Sequence, residues 1–307
     1  MAGLHFDRSF AGRPGIPVTV APRVRRVTAD NPGAMTFVGT NSYVVGDDPV
    51  VVIDPGPEDE AHLTALMIAI DGADVSAIAV THTHRDHSPL ARALKAETGA
   101  PIVGAGPHSF ARQAETGDAS LDEAVDDAYA PDQMMKDGAV WRFGDLVLEA
   151  VATPGHTMNH LCFALGGQDI LFSGDHVMAW STSLVAPPEG SMNAYLESLQ
   201  RLLNRPESIY LPGHGARLND AKPYVEGLFA HRMEREAAIL AALEFDSLSI
   251  SALVDLMYQG LDARLRPAAG LSVLAHLERL EGLGQVLRPA GNNGHWAAGP
   301  LAFDRSD

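Results

Sequence analysis

One short stretch constrains this chain more than any other: Thr81-His82-Thr83-His84-Arg85-Asp86-His87. It follows the apolar run Ala77-Ile78-Ala79-Val80, so it reads as the loop at the carboxyl end of a strand. Pro89 is placed to open a helix behind it, with Ser88 as the cap. Three imidazoles and a carboxylate within six positions make poor core material, because each polar group needs a partner once buried. Metal ligation accounts for them together, since neutral imidazole and carboxylate suit zinc and its neighbours. In a loop, the alternate residues His82 and His84 can converge on one ion, leaving Asp86 and His87 aimed at a second.

Two further fragments repeat the pattern of strand, tight turn and ligand type: Val151-Ala152-Thr153-Pro154-Gly155-His156 and Ile209-Tyr210-Leu211-Pro212-Gly213-His214. Between them, Leu171-Phe172-Ser173-Gly174-Asp175 delivers a carboxylate from the end of another strand. Glycine and proline beside each polar residue let the backbone turn sharply at a crowded place.

Before Gly215 the chain alternates short β-branched runs, such as Tyr43-Val44-Val45, Val50-Val51-Val52-Ile53 and Pro101-Ile102-Val103, with helical patterns at 60–70 and 89–98. That alternation predicts an α/β architecture with a buried sheet. The first 35 residues are rich in glycine and proline and read as an irregular lead-in. After Gly215 the pattern becomes three helices, over 224–245, 249–258 and 268–280. A small hairpin follows, formed by 285–288, a Gly-Asn-Asn-Gly turn and 295–298, which is the layout of a winged helix. The expected domains are a catalytic unit over 1–216 and a winged-helix-like unit over 217–307.

Charge narrows the partners. The chain carries 22 basic and 39 acidic residues, a net of −17, which repels polyanions at long range. Up to residue 216 there are 13 bases and 27 acids, and beyond it nine and 12, so even the winged-helix tail is slightly acidic. Its segment 268–280 offers only Arg279, opposed by Glu278, where a groove-reading helix needs a basic face. Duplex DNA is therefore disfavoured. No apolar run is long enough for a bilayer, and the first residues lack the apolar core of a secretory leader. The single cysteine, Cys162, excludes an internal disulfide. The expected compartment is the cytoplasm, without membrane association.

The full set of fragments resembles the metallo-β-lactamase-fold hydrolases, whose motif is His-x-His-x-Asp-His followed by a later His, Asp and His. All seven positions are filled in order, across roughly residues 36–215. The resemblance implies an αβ/βα four-layer sandwich. It also implies that His82, His84 and His156 bind a first zinc, that Asp86, His87 and His214 bind a second, and that Asp175 bridges them. Two Zn(2+) per chain are thus expected, with Fe or Mn as alternatives. Asp54, in Ile53-Asp54-Pro55-Gly56, matches an early strand-end Asp that supports the ligands without binding metal. His84 stands where the diiron oxygen-reductase branch has Glu, which disfavours that branch. The stretch Gly39-Thr40-Asn41-Ser42-Tyr43, the metal loop through Ser88 and the tail around 268–277 are similar to the β-lactamase-like-protein-2 type, which carries a C-terminal winged-helix-like domain.

The function this implies is a dinuclear zinc hydrolase that uses a water ionised by the cations. Asp86 is the group expected to accept or relay a proton, on a small ester, thioester, lactone or related substrate. Single-strand-selective RNA cleavage, known in that subgroup, is the alternative, with single-stranded RNA as partner. An iron-dependent persulfide dioxygenase and a DNA-binding regulator rank lower, and a homo-oligomer stays open. β-Lactam hydrolysis is not favoured, because no export signal is seen. Around the metal residues, His176 is a candidate support, while Arg85, Trp180 and Ser181 are candidate substrate contacts. His160 reads as a core or supporting histidine, and His62, His108, His231, His276 and His295 as incidental.

Overall fold

Branched side chains are stiff and pack well on a pleated surface, so the β-branched runs become strands. The computed structural model describes residues 4–113, 124–289 and 294–302, and in it those runs build two facing sheets. The first contains β1 (Val18–Ala21), β2 (Val24–Thr28), β3 (Asn41–Val45), β4 (Val50–Ile53), β5 (Val75–Val80), β6 (Ile102–Gly104) and β7 (Gln133–Met134), neighbours in chain order. Strands β1 to β4 pair antiparallel and β4 to β7 parallel. The second sheet holds β8 (Val140–Phe143), β9 (Leu146–Ala152), β10 (Leu161–Leu165), β11 (Ile170–Gly174) and β12 (Ile209–Pro212), again in chain order. Only its β11–β12 pair is parallel.

The period of two along each strand sorts side chains between layers. Tyr43, Val45, Val51 and Ile53 of the first sheet meet Leu148, Ala150, Phe163 and Phe172 of the second in the central core. The alternate residues Val44, Val52, Ile78 and Val80 pack outward on α1 (Glu60–Ile70) and α2 (Ala91–Thr98). On the far side, Val151, Cys162, Ala164 and Leu171 pack on α3 (Met192–Leu203) and the first half of α4 (Ala221–Ala242). The result is the four-layer αβ/βα sandwich. Cys162 is wholly buried there, and burial pushes its thiol up to about 12.

Beyond α4 lie β13 (Leu248–Ser249), α5 (Ile250–Met257), α6 (Arg266–Gly282), β14 (Val286–Leu287) and β15 (His295–Ala298). The three strands form one small sheet in the order β13-β15-β14. They enclose a separate core of Leu253, Val254, Val273, Leu277, Leu280, Val286 and Trp296, the winged helix. Helix α4 serves both halves. Val225 and Leu228 belong to the sandwich, and Ile239 belongs to the winged-helix core. Arg279 is drawn inward, its Nη1 donating to Glu236 Oε2 at 2.6 Å, beside His276.

Three local expectations change. The lead-in is partly regular: β1 and β2 form an antiparallel pair, hidden in the sequence because Arg25 and Arg26 interrupt the apolar signal. Ser88 does not cap α2, which starts at Ala91 after Leu90; its hydroxyl donates instead to Asp126 Oδ2 at 2.8 Å. Helix α3 was not anticipated; Ser191 caps it by accepting from the Ala194 amide. Residues 291–293 of the expected Gly-Asn-Asn-Gly turn lie outside the described residues. Among the described residues, no helix is long and apolar enough to cross a membrane.

Phe172 is almost fully buried between the sheets and leans on Tyr43 with ring centroids 5.2 Å apart. Phe172→Ala is expected to lower unfolding free energy by about 3–5 kcal/mol, read as a lower denaturant midpoint at unchanged slope.

Candidate metal centre

Each singled-out residue sits where a strand ends. His82, His84, Asp86 and His87 follow β5, His156 follows β9, Asp175 follows β11, and His214 follows β12. Four separate loops therefore meet at one edge of the sandwich. Two glycines allow that meeting. Gly155 has φ +144°, and a Cβ there would lie 2.4 Å from Tyr195 Cα of α3. A Cβ on Gly213 would lie 2.5 Å from Asp175 Oδ1 and 2.7 Å from His87 Cε1.

The atoms converge as two groups. His84 Nδ1 is 3.1 Å from both His82 Nε2 and His156 Nε2. In the second group, His87 Nε2 and His214 Nε2 are 3.4 Å apart, with Asp86 Oδ2 at 3.3 and 3.2 Å from them. Asp175 spans the two. Its Oδ2 lies 3.3 Å from His214 Nε2 and 3.8 Å from His156 Nε2, and its Oδ1 lies 3.5 Å from His87 Nε2. Four nitrogen ligands at tetrahedral bond lengths would stand about 3.3–3.4 Å from one another, close to the spacings seen in both groups.

The outer nitrogens explain why the inner ones face each other. Thr81 donates its hydroxyl to Asp54 Oδ2 and so accepts from His82 Nδ1, 3.0 Å away. His87 Nδ1 faces Asp54 Oδ2 at 3.0 Å, His156 Nδ1 faces the Leu184 carbonyl at 2.6 Å, and His214 Nδ1 faces that of Gly39 at 3.2 Å. His84 differs, turning Nε2 to Glu189 Oε1 at 2.7 Å and presenting Nδ1. Every imidazole thus has an acceptor behind it, which fixes the tautomer whose lone pair points inward. Asp54 is held at φ +48° directly after β4, and its Oδ1 accepts from the Thr81 amide.

Convergent lone pairs and carboxylates repel unless a cation or protons lie between them. Burial opposes charge on His87 and His214, but Asp86 and Asp175 outweigh it, so His87 rises well above the usual range and His214 to about 10. Burial likewise opposes ionisation of Asp86 and Asp175, yet the neighbouring imidazoles hold both carboxyls well below theirs. Burial, reinforced by the other histidines, drives His82 well down and lowers His156. The donors fit divalent cations: all are oxygen or nitrogen, five are buried while His84 and Asp86 stay partly exposed, and Asp175 Oδ1 has no hydrogen-bond partner.

The other candidates scatter. His176 is fully buried 4.6 Å from the Tyr195 ring, with neither ring nitrogen hydrogen-bonded, and burial takes it down to about 3. His160 contacts the centre more directly, since its Nε2 accepts from the Asp175 amide at 3.2 Å while Nδ1 meets Thr153 Oγ1 at 2.8 Å. Arg85 is exposed, its Nε donating to the Val125 carbonyl. Trp180 and Ser181 are half-buried; Trp180 stacks on Phe37 with centroids 4.9 Å apart and lines Gly215, next to His214.

Three contributors escaped sequence reading. Thr40 donates to Asp86 Oδ2 at 3.0 Å, His108 Nδ1 meets Thr83 Oγ1 at 3.1 Å, and Glu189 backs His84. None follows a strand in a repeated motif, so no spacing marks them.

Residues 35–214 match the pattern of the metallo-beta-lactamase superfamily, and the chain belongs to that family. Residues 249–296 match the beta-lactamase associated winged helix domain. Among curated relatives, Lactamase-like protein adaB of Aspergillus niger is 29% identical over 73% of this chain and 65% of its own length. The atrochrysone carboxyl ACP thioesterase AgnL7 of Paecilomyces divaricatus is 28% identical over 91% of this chain and 82% of its own. The chain thus spans about 65% of the first of these relatives. A beta-lactamase domain protein from Burkholderia ambifaria shares the fold, with a TM-score of 0.79 at 24% identity, covering 94% of this chain and 95% of that one.

The raised values on His87 and His214 set a pH dependence. In the metal-free chain both imidazoles are expected to carry a second proton near neutral pH, which an entering cation displaces. Zinc uptake by the metal-free protein is therefore expected to release protons. Apparent affinity should rise with pH until His214 deprotonates at about 10, as calorimetry in buffers of different ionisation enthalpy will show.

Proposed function

We propose that this chain is a dinuclear metal-dependent hydrolase of small acyl substrates, with thioesters the leading class. The observation that carries it is the convergence of five inward-facing imidazole nitrogens and two carboxylates from four loops. In this reading His82, His84 and His156 hold one cation and Asp86, His87 and His214 the other, with Asp175 between them. Two zinc ions suit the nitrogen and oxygen donors, and metal analysis separates zinc from iron or manganese. Bound divalent cations lower the pKa of water towards neutrality and stabilise a developing oxyanion.

The protein's own part is positioning and proton transfer. Asp86, whose Oδ2 meets Thr40, His87 and His214 and whose side chain stays 24% exposed, would orient the attacking water and pass on the proton that water gives up. As the new C–O bond forms at the acyl carbonyl and the C–S bond breaks, Asp86 relays that proton to the departing thiolate. Trp180, stacked on Phe37 beside His214, would supply an aromatic wall for the acyl group, and Ser181, next to it in the chain, and Arg85, exposed beside Asp86, are further candidate contacts.

The thioester preference draws on the relatives named as acyl-carrier-protein thioesterases. The division at residue 216 belongs to the same proposal, with 1–216 catalytic and 217–307 forming a wall through α4. A lone, buried cysteine accords with a cytoplasmic setting.

The test is a zinc-loaded panel of pantetheine thioesters, esters, lactones, phosphodiesters and single-stranded RNA, with metal content measured on the same sample. About two cations per chain and thioester or ester turnover are expected. His84→Ala should remove at least one cation and lower turnover at least about a hundredfold. Cleavage of RNA alone, lost in His84→Ala, would replace the acyl reading by the nuclease one.

A further inference from the structure

We propose that Glu189 is a positioning residue for the metal centre, a buried carboxylate that aims His84 at the first cation; this rests on the reading of the centre given above. His84 is the one imidazole of the five that presents Nδ1 instead of Nε2, so its ring is turned opposite to the others. In the same group, the outer nitrogens of His82 and His156 meet neutral acceptors, the Thr81 hydroxyl and the Leu184 carbonyl. Glu189 gives His84 a carboxyl oxygen, at 2.7 Å. His84 also keeps 13% of its side chain exposed, more than His156 at 9%, and so has less packing to hold it.

Glu189 is only 3% exposed. A buried carboxylate is costly unless partnered. Its partners among the described residues are His84 and, at 3.4 Å, His108 Nε2.

The backbone around it is fixed from both sides of the centre. The Ser191 amide donates to the Gly155 carbonyl, and a Cβ on Gly190 would lie 2.8 Å from the His156 carbonyl oxygen. The Pro188 carbonyl accepts from the Ala111 amide, tying in the loop that carries His108. His108 in turn meets Thr83, the residue between His82 and His84. One short segment before α3 is thus bonded to the loops of His156 and His108 and, through Glu189, to His84.

The experiment titrates cobalt(II) and zinc into the metal-free wild-type chain, Glu189→Gln and Glu189→Ala. Stepwise affinities are read by competition with a chromogenic chelator and by the visible cobalt absorption, with thermal melting of each metal-free protein alongside. Glu189→Ala is expected to weaken one of the two cations by up to about a hundredfold and to leave the other at wild-type affinity. Glu189→Gln keeps an acceptor oxygen without the charge, and is expected to lose about tenfold at the same site with an unchanged melt. If Glu189→Ala fails to fold, Glu189→Gln decides. Wild-type affinity at both cations in a folded variant overturns the role of Glu189 and leaves the centre standing. A wild-type chain that takes up no cation overturns the centre, and the role of Glu189 with it.

Discussion

The arrangement depends on acceptors placed behind imidazoles. An unrestrained histidine has two tautomers and a ring free to turn. Each of the five histidines here is engaged on its outer nitrogen by Asp54, Glu189, the Thr81 hydroxyl or a backbone carbonyl. That leaves five inner nitrogens and two carboxylates converging at one centre, most of them buried. Inner nitrogens and carboxylate oxygens stand 3.1–3.8 Å apart, close enough for a cation or a proton to lie between them. The packed sandwich holds that convergence in place.

The sandwich can do so because ligands come from both sheets. Strand β5 of the first sheet delivers four side chains, while β9, β11 and β12 of the second deliver three. The central core of Ile53, Phe163 and Phe172 holds the sheets in register with each other. Strain is concentrated where the backbone must turn at once, at Asp54 with φ +48° and at Gly155, whose φ of +144° and contact with Tyr195 exclude any other side chain. Packing far from the chemistry thereby helps to position the atoms at the centre.

The winged helix is joined through α4, which spans both cores, so it is more than a tethered appendage. Its charge is spent internally. Arg279 is bound to Glu236, which also meets His276. A groove-reading domain would turn such an arginine outward. The chain's net charge of −17 and the cation-seeking centre coexist because the first acts at long range and the second at contact.

By itself the sequence determined the fold family and the winged helix after it, and it singled out seven residues that the structure brings together, because each sits beside a turn after a strand and the spacing is local. Asp54 came from the family resemblance, as its early strand-end Asp. The sequence did not determine β1 and β2, whose apolar alternation is broken by Arg25 and Arg26, or the role of Ser88, which bonds to Asp126 instead of capping a helix. Glu189, His108 and Thr40 were beyond its reach. Glu189 lies 105 residues from His84 in a Pro-Pro-Glu-Gly segment that resembles any exposed loop. Only the tertiary structure decided them, because a hydrogen bond to a ligand's far nitrogen depends on where two distant loops pack, and no periodicity in one chain records that.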